Sequence, residues 1–162
     1  MKYLYTILYV ALIVVVNWLF TVIQPVMLPG GNIWPPVSLV VGLVFVVRDF
    51  AQREIGHWVI LAMLIGGGIS YFMAGQQVAT ASVAAFLVSE FLDWAVYSFT
   101  KRPLSERILY SSLLGTPIDS TVFLYMAGFG SPVAVAIQTV SKLLGAVVVW
   151  WIIRRREQRV VA

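Results

Sequence analysis

The chain has 162 residues, of which 60% are hydrophobic and only 11% charged, and its mean hydropathy is +0.92. Soluble domains carry roughly 25% charged residues, so a soluble fold of this size has nowhere to put so much apolar surface, whereas a bilayer accepts it. Cysteine is absent, which excludes disulfides, thiolate metal sites and a cysteine nucleophile. The single His57 cannot supply a histidine metal cluster. The net charge of +4 is distributed as a membrane topology signal rather than as a nucleic-acid surface.

A spanning helix needs about 20 apolar residues. Six segments are predicted, over 3–23, 36–53, 57–74, 78–99, 107–129 and 132–153, giving one all-α transmembrane domain across 1–162. In the first, Lys2 leads into an apolar run that passes Trp18, Phe20 and Val22 without a small-x-small cleavage site. It therefore reads as a retained helix rather than a signal peptide. Asn17 is expected to donate a hydrogen bond to a neighbouring helix. Pro25, Pro29, Gly30, Gly31, Pro35 and Pro36 punctuate the first connection. Asn32 and Trp34 within it read as an interfacial turn, an outer gate being the other reading.

The second helix ends in Arg48-Asp49-Phe50-Ala51-Gln52-Arg53-Glu54. Asp49 and Arg53 are four apart and positioned to pair, either as a solvated helix end or as part of a site. Gly66-Gly67-Gly68 in the third helix points to close helix packing. In the fourth, Glu90 lies about twelve residues from the helix start, roughly 18 Å deep. Asp93 follows one turn later on the same face. Like charges so placed repel, so one holds a proton or both face a cation. They line a polar cavity or tie helices together through a basic partner.

The fifth segment contains Ser111-Ser112-Leu113-Leu114-Gly115-Thr116-Pro117-Ile118-Asp119-Ser120-Thr121, polar for a span. Pro117 removes a helical N–H and frees a carbonyl, and interrupted segments of this kind surround ligands in transporters. Ser112 and Asp119, seven apart, share a face. In the last segment Gln138 and Lys142 are four apart on one face. Lys142 is too deep to snorkel and needs an acid, with Asp119, Glu90 and Asp93 as candidates. A charged side chain at a helix centre costs about 2.5–3.5 kcal/mol on translocon scales, so such groups face a partner or a watery cavity.

The connections after the first, third and fifth segments contain no Lys or Arg. Lys2, Arg48, Arg53, Lys101, Arg102, Arg107, Arg154, Arg155, Arg156 and Arg159 fall on the opposite side, leaving Lys142 as the exception. That side is expected to be cytoplasmic, with both termini on it and an even number of spans. Trp150 and Trp151 precede the arginine cluster as interface anchors do. No similarity between the two halves marks an inverted repeat.

The order of motifs resembles a known family. Trp34-Pro35-Pro36-Val37 running to Val47-Arg48-Asp49-Phe50, with Arg53 and Gly56, is similar to the second-helix motif of the queuosine-precursor transporters, formerly the vitamin uptake transporter (VUT) family. Val78-Ala79-Thr80-Ala81-Ser82 through Glu90-Phe91-Leu92-Asp93 resembles its fourth helix. Ser111-Ser112-Leu113-Leu114-Gly115 through Ile118-Asp119-Ser120 and Phe123 resembles its fifth, and Lys142 matches the lysine of its last helix. The resemblance covers most of residues 34–150. It implies import of 7-cyano-7-deazaguanine or a related 7-deazaguanine across the cytoplasmic (inner) membrane, and it adds Asp49 and Arg53 to the site.

A guanine-like edge presents N1–H and an exocyclic amine, two donors suited to a carboxylate. The candidate substrate-binding residues are thus Glu90, Asp93, Asp119, Ser112, Gln138, Lys142, Asp49 and Arg53. Trp94, Phe91, Phe123 and Tyr125 are candidates to stack on the base. One acid among Glu90, Asp93 and Asp119 could couple uptake to protons. The expected partners are a small deazaguanine-like substrate and membrane lipid, with no nucleic acid and no cofactor; a homodimer is compatible with so short a chain. Two other classes remain open. A substrate-binding subunit of an energy-coupling vitamin importer would dock through small residues, but the first helix offers only Ala11. A small intramembrane enzyme would need a nucleophile–base–orienter set or a metal motif, and neither is seen.

Overall fold

The computed structural model describes residues 3–75, 78–100 and 103–161; Lys2, Gln77, Lys101 and Arg102, which enter the topology reading, lie outside them, as do the side chains of Arg156 and Arg159. The described chain is almost wholly helical: α1 (Leu4–Val22), α2 (Ser38–Ile55), α3 (Val59–Met73), α4 (Ala79–Phe99), α5 (Leu104–Met126) and α6 (Pro132–Val161). A short antiparallel hairpin, β1 (Val26–Met27) with β2 (Ile33–Trp34), fills the connection from α1 to α2. Among the described residues, four stretches are long and apolar enough to cross a membrane. They are Leu4–Val22, Ser38–Met73, Ala79–Phe99 and Pro132–Arg155. The chain is an all-α membrane protein.

Local chemistry explains where the helices stop. The Ser38–Met73 stretch is broken where Gly56 adopts φ +61°, a conformation that favours glycine, and a single 3-10 turn (Gly56–Trp58) then leads into α3. The fifth helix ends at Met126 rather than 129, because Gly128 takes a left-handed turn at φ +81° just beyond it. It begins at Leu104 rather than 107, directly after Pro103, which has extended backbone. The last helix continues past 153 to Val161, as arginine and glutamine favour helix once the chain leaves its apolar stretch.

The helices form a closed ring in the order α1, α3, α4, α5, α6, α2. The α2 helix also reaches α4 and α5, so it lies nearest the centre. Tyr9, Ile13 and Val16 of α1 pack with Val44 and Ala51 of α2 and with Val59, Ala62 and Met63 of α3. Val46, Ile108 and Ala146 join α2, α5 and α6. Large apolar side chains such as Ile7, Trp18, Phe72 and Val148 point outward, as expected of helices bathed in lipid. The glycine run of α3 is split. A Cβ at Gly66 would meet Ile13 and Phe86, and one at Gly67 would meet Leu87, whereas Gly68 faces open space.

The tightest crossing was not expected from the sequence. A Cβ at Gly42 of α2 would collide with the backbone carbonyl of Lys142 on α6, and one at Gly145 would lie 2.6 Å from the carbonyl oxygen of Leu39. Because the obstacle is backbone, Gly42→Ala must push the helices apart, at a cost of about 1–3 kcal/mol for overpacking. Thermal unfolding of the purified variant in detergent should show the loss; an unchanged unfolding temperature would mean that α2 and α6 do not cross so closely.

Candidate functional site

Six fully or nearly buried charged side chains converge between α2, α4, α5 and α6: Arg48, Asp49, Glu90, Asp93, Asp119 and Lys142. Glu90, Asp93 and Lys142 come from helices whose neighbouring turns are mostly apolar, so burial of the helix face carries the charge inward, whereas Asp119 lies in the polar stretch 111–121 and Arg48 and Asp49 precede the polar end of α2. The group divides into two ion-paired clusters.

The first cluster is centred on Arg48, which is 0% exposed. Its Nη1 donates to Asp49 Oδ1 at 2.6 Å and its Nη2 to the backbone carbonyl of Glu90 at 3.3 Å. Its Nε lies 3.6 Å from Glu90 Oε2. Tyr9 of α1 donates its hydroxyl to the same Glu90 oxygen at 2.6 Å, and Ser111 of α5 donates to Asp49 Oδ2 at 3.1 Å. One guanidinium thus ties α2 to α4, while Tyr9 and Ser111 bring in α1 and α5.

This geometry corrects two expectations. Asp49 pairs with Arg48, not with Arg53, and Arg53 is exposed and apart from the cluster. The i,i+4 spacing permits an Asp49–Arg53 pair, but the Asp49 carboxylate turns into the bundle, where the long Arg48 side chain follows it. Nor is the end of α2 simply a solvated helix end. Its last acid, Glu54, accepts from the Thr6 backbone N–H at 2.9 Å and the Thr6 hydroxyl at 2.8 Å. It thereby satisfies donors left open in the first turn of α1.

In the second cluster, Lys142 of α6 pairs with Asp119 of α5. Lys142 also donates to Ser120 Oγ at 3.2 Å, and Ser89 of α4 approaches Asp119 Oδ1 at 3.4 Å. Of the three acids that could serve Lys142, Asp119 is the one that does. One residue away, Ser141 accepts from Trp34 Nε1 at 2.8 Å, which fastens the hairpin to α6.

A cavity of about 390 Å³ lies between the clusters and the hairpin end of the bundle. It runs from Pro25, Ile33, Pro35 and Gly75 down to Glu90, Asp119, Gln138 and Lys142. Its walls carry Phe20, Phe45, Phe86, Phe123 and Phe129, with Asn17, Ser38, Ser70 and Ser82 as polar points. Volume and lining fall within the usual range for small-molecule pockets, roughly 300–1,000 Å³ with mostly apolar walls and few convergent polar groups.

The expected residues are therefore divided. Glu90, Asp119, Gln138 and Lys142 line the cavity; Asp49, Asp93 and Ser112 are buried but do not line it, and Arg53 lies outside. Of the four aromatic candidates only Phe123 lines it. Trp94 instead donates Nε1 to His57 Nδ1 at 3.1 Å, and Phe91 and Tyr125 are exposed. Asn17 lines the cavity, but its amide donates to Ile13 of its own helix and its carbonyl oxygen accepts from Ser70 Oγ at 3.1 Å; across helices it is an acceptor, not a donor. Sequence reasoning missed Arg48 as a buried ion, Tyr9 as its neighbour, and the phenylalanines of α1, α2 and α4. Intrahelical spacing holds no signal for them, because they meet across helices.

The family model described as "Putative vitamin uptake transporter" matches residues 3–155, nearly the whole chain. No curated protein and no solved structure matches. The chain belongs to that family of transporters.

Proposed function

From membership of that family, we propose that the protein is a six-span secondary importer of the cytoplasmic (inner) membrane, with both termini in the cytoplasm, and that its substrate is a queuosine precursor such as 7-cyano-7-deazaguanine. The six-span topology rests on α5 crossing with the others and on the basic residues gathering at alternate connections. The substrate rests on the motif resemblance and on the chemistry of the cavity floor.

One observation carries most weight. Glu90 lines the cavity, is 0% exposed, and its Oε1 has no hydrogen-bond partner. A buried carboxylate oxygen at the end of an aromatic-walled cavity suits a planar ligand with adjacent N–H donors. Gln138 and the Lys142–Asp119 pair would meet the ligand's carbonyl and ring nitrogen, and Phe123, Phe45 or Phe86 would stack on its face. Asp49 and Ser112 would support this surface from behind, and neither Asp93 nor Arg53 would touch the ligand in the conformation described.

The cavity lies at the end of the bundle that the topology assigns to the outside, with the Arg48 cluster beneath it. That arrangement fits an outward-facing state in which the Arg48 cluster is the inner barrier, to be opened as the helices rock about a midplane site.

Liposomes containing only this protein should take up labelled 7-cyano-7-deazaguanine in preference to adenine, guanine and common vitamins. Uptake of a vitamin but of no deazaguanine would overturn the substrate assignment, and a requirement for a partner protein would favour the energy-coupling subunit instead. Glu90→Gln should lower deazaguanine uptake about 10- to 100-fold, the effect of losing a hydrogen bond to a charged group. Normal import by both Glu90→Gln and Asp119→Asn would remove this site from consideration.

A further inference from the structure

Among the described residues, the buried charges are four acids, Asp49, Glu90, Asp93 and Asp119, against two bases, Arg48 and Lys142. Three of the acids have cationic partners: Asp49 and Glu90 share Arg48, and Asp119 has Lys142. Asp93 has none. It is 0% exposed, and neither of its carboxylate oxygens has a hydrogen-bond partner. It faces Arg48 and Asp49 from α2, Glu90 on its own helix, Asp119 from α5 and Tyr9 from α1. Arg107 of α5 lies further along, acting on Asp49. A fully ionised cluster would leave two negative charges uncompensated away from water, an arrangement that proteins avoid by neutralisation or by binding a cation.

The space around Asp93 decides between those two. Its Oδ1 would lie 2.5 Å from a Cβ built on Gly115, so the carboxylate sits directly against the α5 backbone. Metal ions such as Ca²⁺ gather about six or more oxygen ligands; the α5 backbone takes up one side of Asp93, and among the described residues no group of three or more His, Cys, Asp or Glu is placed to hold a metal ion. A proton needs no such room. We propose that Asp93 holds the proton that couples uptake, a role separate from ligand contact. This rests on the transport reading above and goes beyond it in naming the coupling ion and its carrier. Glu90, one turn away and lining the cavity, is the group through which water in the outward-facing cavity reaches Asp93. One proton from that water binds the Asp93 carboxylate, Glu90 stays ionised to receive the ligand's N–H donors, and the proton leaves to cytoplasmic water when the inner side opens.

The test uses the full chain in liposomes with labelled 7-cyano-7-deazaguanine as probe. Wild type should concentrate the probe when the outside is acidic, lose that accumulation with a protonophore, and be indifferent to sodium. Asp93→Asn imitates the protonated acid, so it should fold as well as wild type and still exchange probe in counterflow. It should not concentrate the probe under a proton gradient. In infrared spectra of the ligand-free protein, the carbonyl band of a protonated carboxyl should be present in wild type and diminished in Asp93→Asn, a readout independent of transport. Counterflow with accumulation that ignores the proton gradient, accumulation driven by sodium, or gradient-driven accumulation by Asp93→Asn would each overturn the coupling role while leaving transport intact. Absence of that infrared band from wild type would also overturn it. No counterflow of any deazaguanine by wild type would instead bring down the transport reading, and this inference with it.

Discussion

Lys142→Met and Asp119→Asn should each destabilise the purified protein by about 3–5 kcal/mol, the cost of leaving one partner of a buried ion pair without the other. The expectation follows from the enclosure of the pair between α5 and α6, with Lys142 4% and Asp119 9% exposed. Ser120 and Ser89 add hydrogen bonds to the two charges but cannot replace a counter-charge. The double variant removes both charges together and should recover most of the lost stability. It should not recover uptake, because both side chains line the cavity. Thermal unfolding in detergent and liposome uptake, measured on the same four proteins, separate the two effects. Single variants as stable as wild type would show that the pair is hydrated, and a double variant that transports normally would show that the pair only holds α5 to α6.

Arg48→Met should be more damaging than either single change, and Arg48→Lys should rescue it poorly. Arg48 is the one cation shared by Asp49 and Glu90, so its loss leaves two ionised groups unpaired beside the already unpaired Asp93. The guanidinium reaches Asp49 Oδ1, the Glu90 backbone carbonyl and the vicinity of Glu90 Oε2 at once. A lysine ammonium is a compact point charge and cannot span those positions with fixed geometry. The expected outcome for Arg48→Met is loss of about 3–5 kcal/mol or more, read as a fall in folded yield and in unfolding temperature. Full rescue of stability and uptake by Arg48→Lys would mean that charge alone matters and that the forked geometry does not. On the proposed outward-facing reading the Arg48 cluster is the inner barrier, and a variant that folds but leaks probe passively would identify it as such.

Most of the architecture was legible in the residues. Apolar runs, with Pro and Gly between them, located the helices to within a few residues, except that α6 continues beyond its apolar stretch; as spans only four stretches of the described residues qualify by length and composition, and the polar α5 is not among them. The charges were legible as a group for a different reason: hydrocarbon is so poor a solvent for Asp, Glu and Lys that their presence in a span demands explanation. Pairings within one helix were read less well. Glu90 and Asp93 do share a face, yet one lines the cavity and the other abuts Gly115. Asp49 and Arg53 have ideal spacing and do not pair. Spacing states which side chains are able to meet, while the neighbouring helices determine which do.

By itself, then, the sequence determined that the chain lives in a membrane, where its helices run, and that Glu90, Asp93, Asp119 and Lys142 are buried ions in need of partners. Those properties depend on composition and on the 1.5 Å rise of a helix, which any reader of the chain can apply. Only the tertiary structure decided that Lys142 belongs to Asp119, that Arg48 is a buried ion serving Asp49 and Glu90, and that, among the buried charges of the described residues, Asp93 is left without an ion-pair or hydrogen-bond partner. It also placed the phenylalanines of four helices and the connection into α6 around one cavity. Such contacts join residues up to 107 positions apart, as Trp34 and Ser141 show. They arise from how the helices close into a ring, with α2 nearest the centre, and that closure is set by small steric facts such as the approach of Gly42 to the backbone of Lys142.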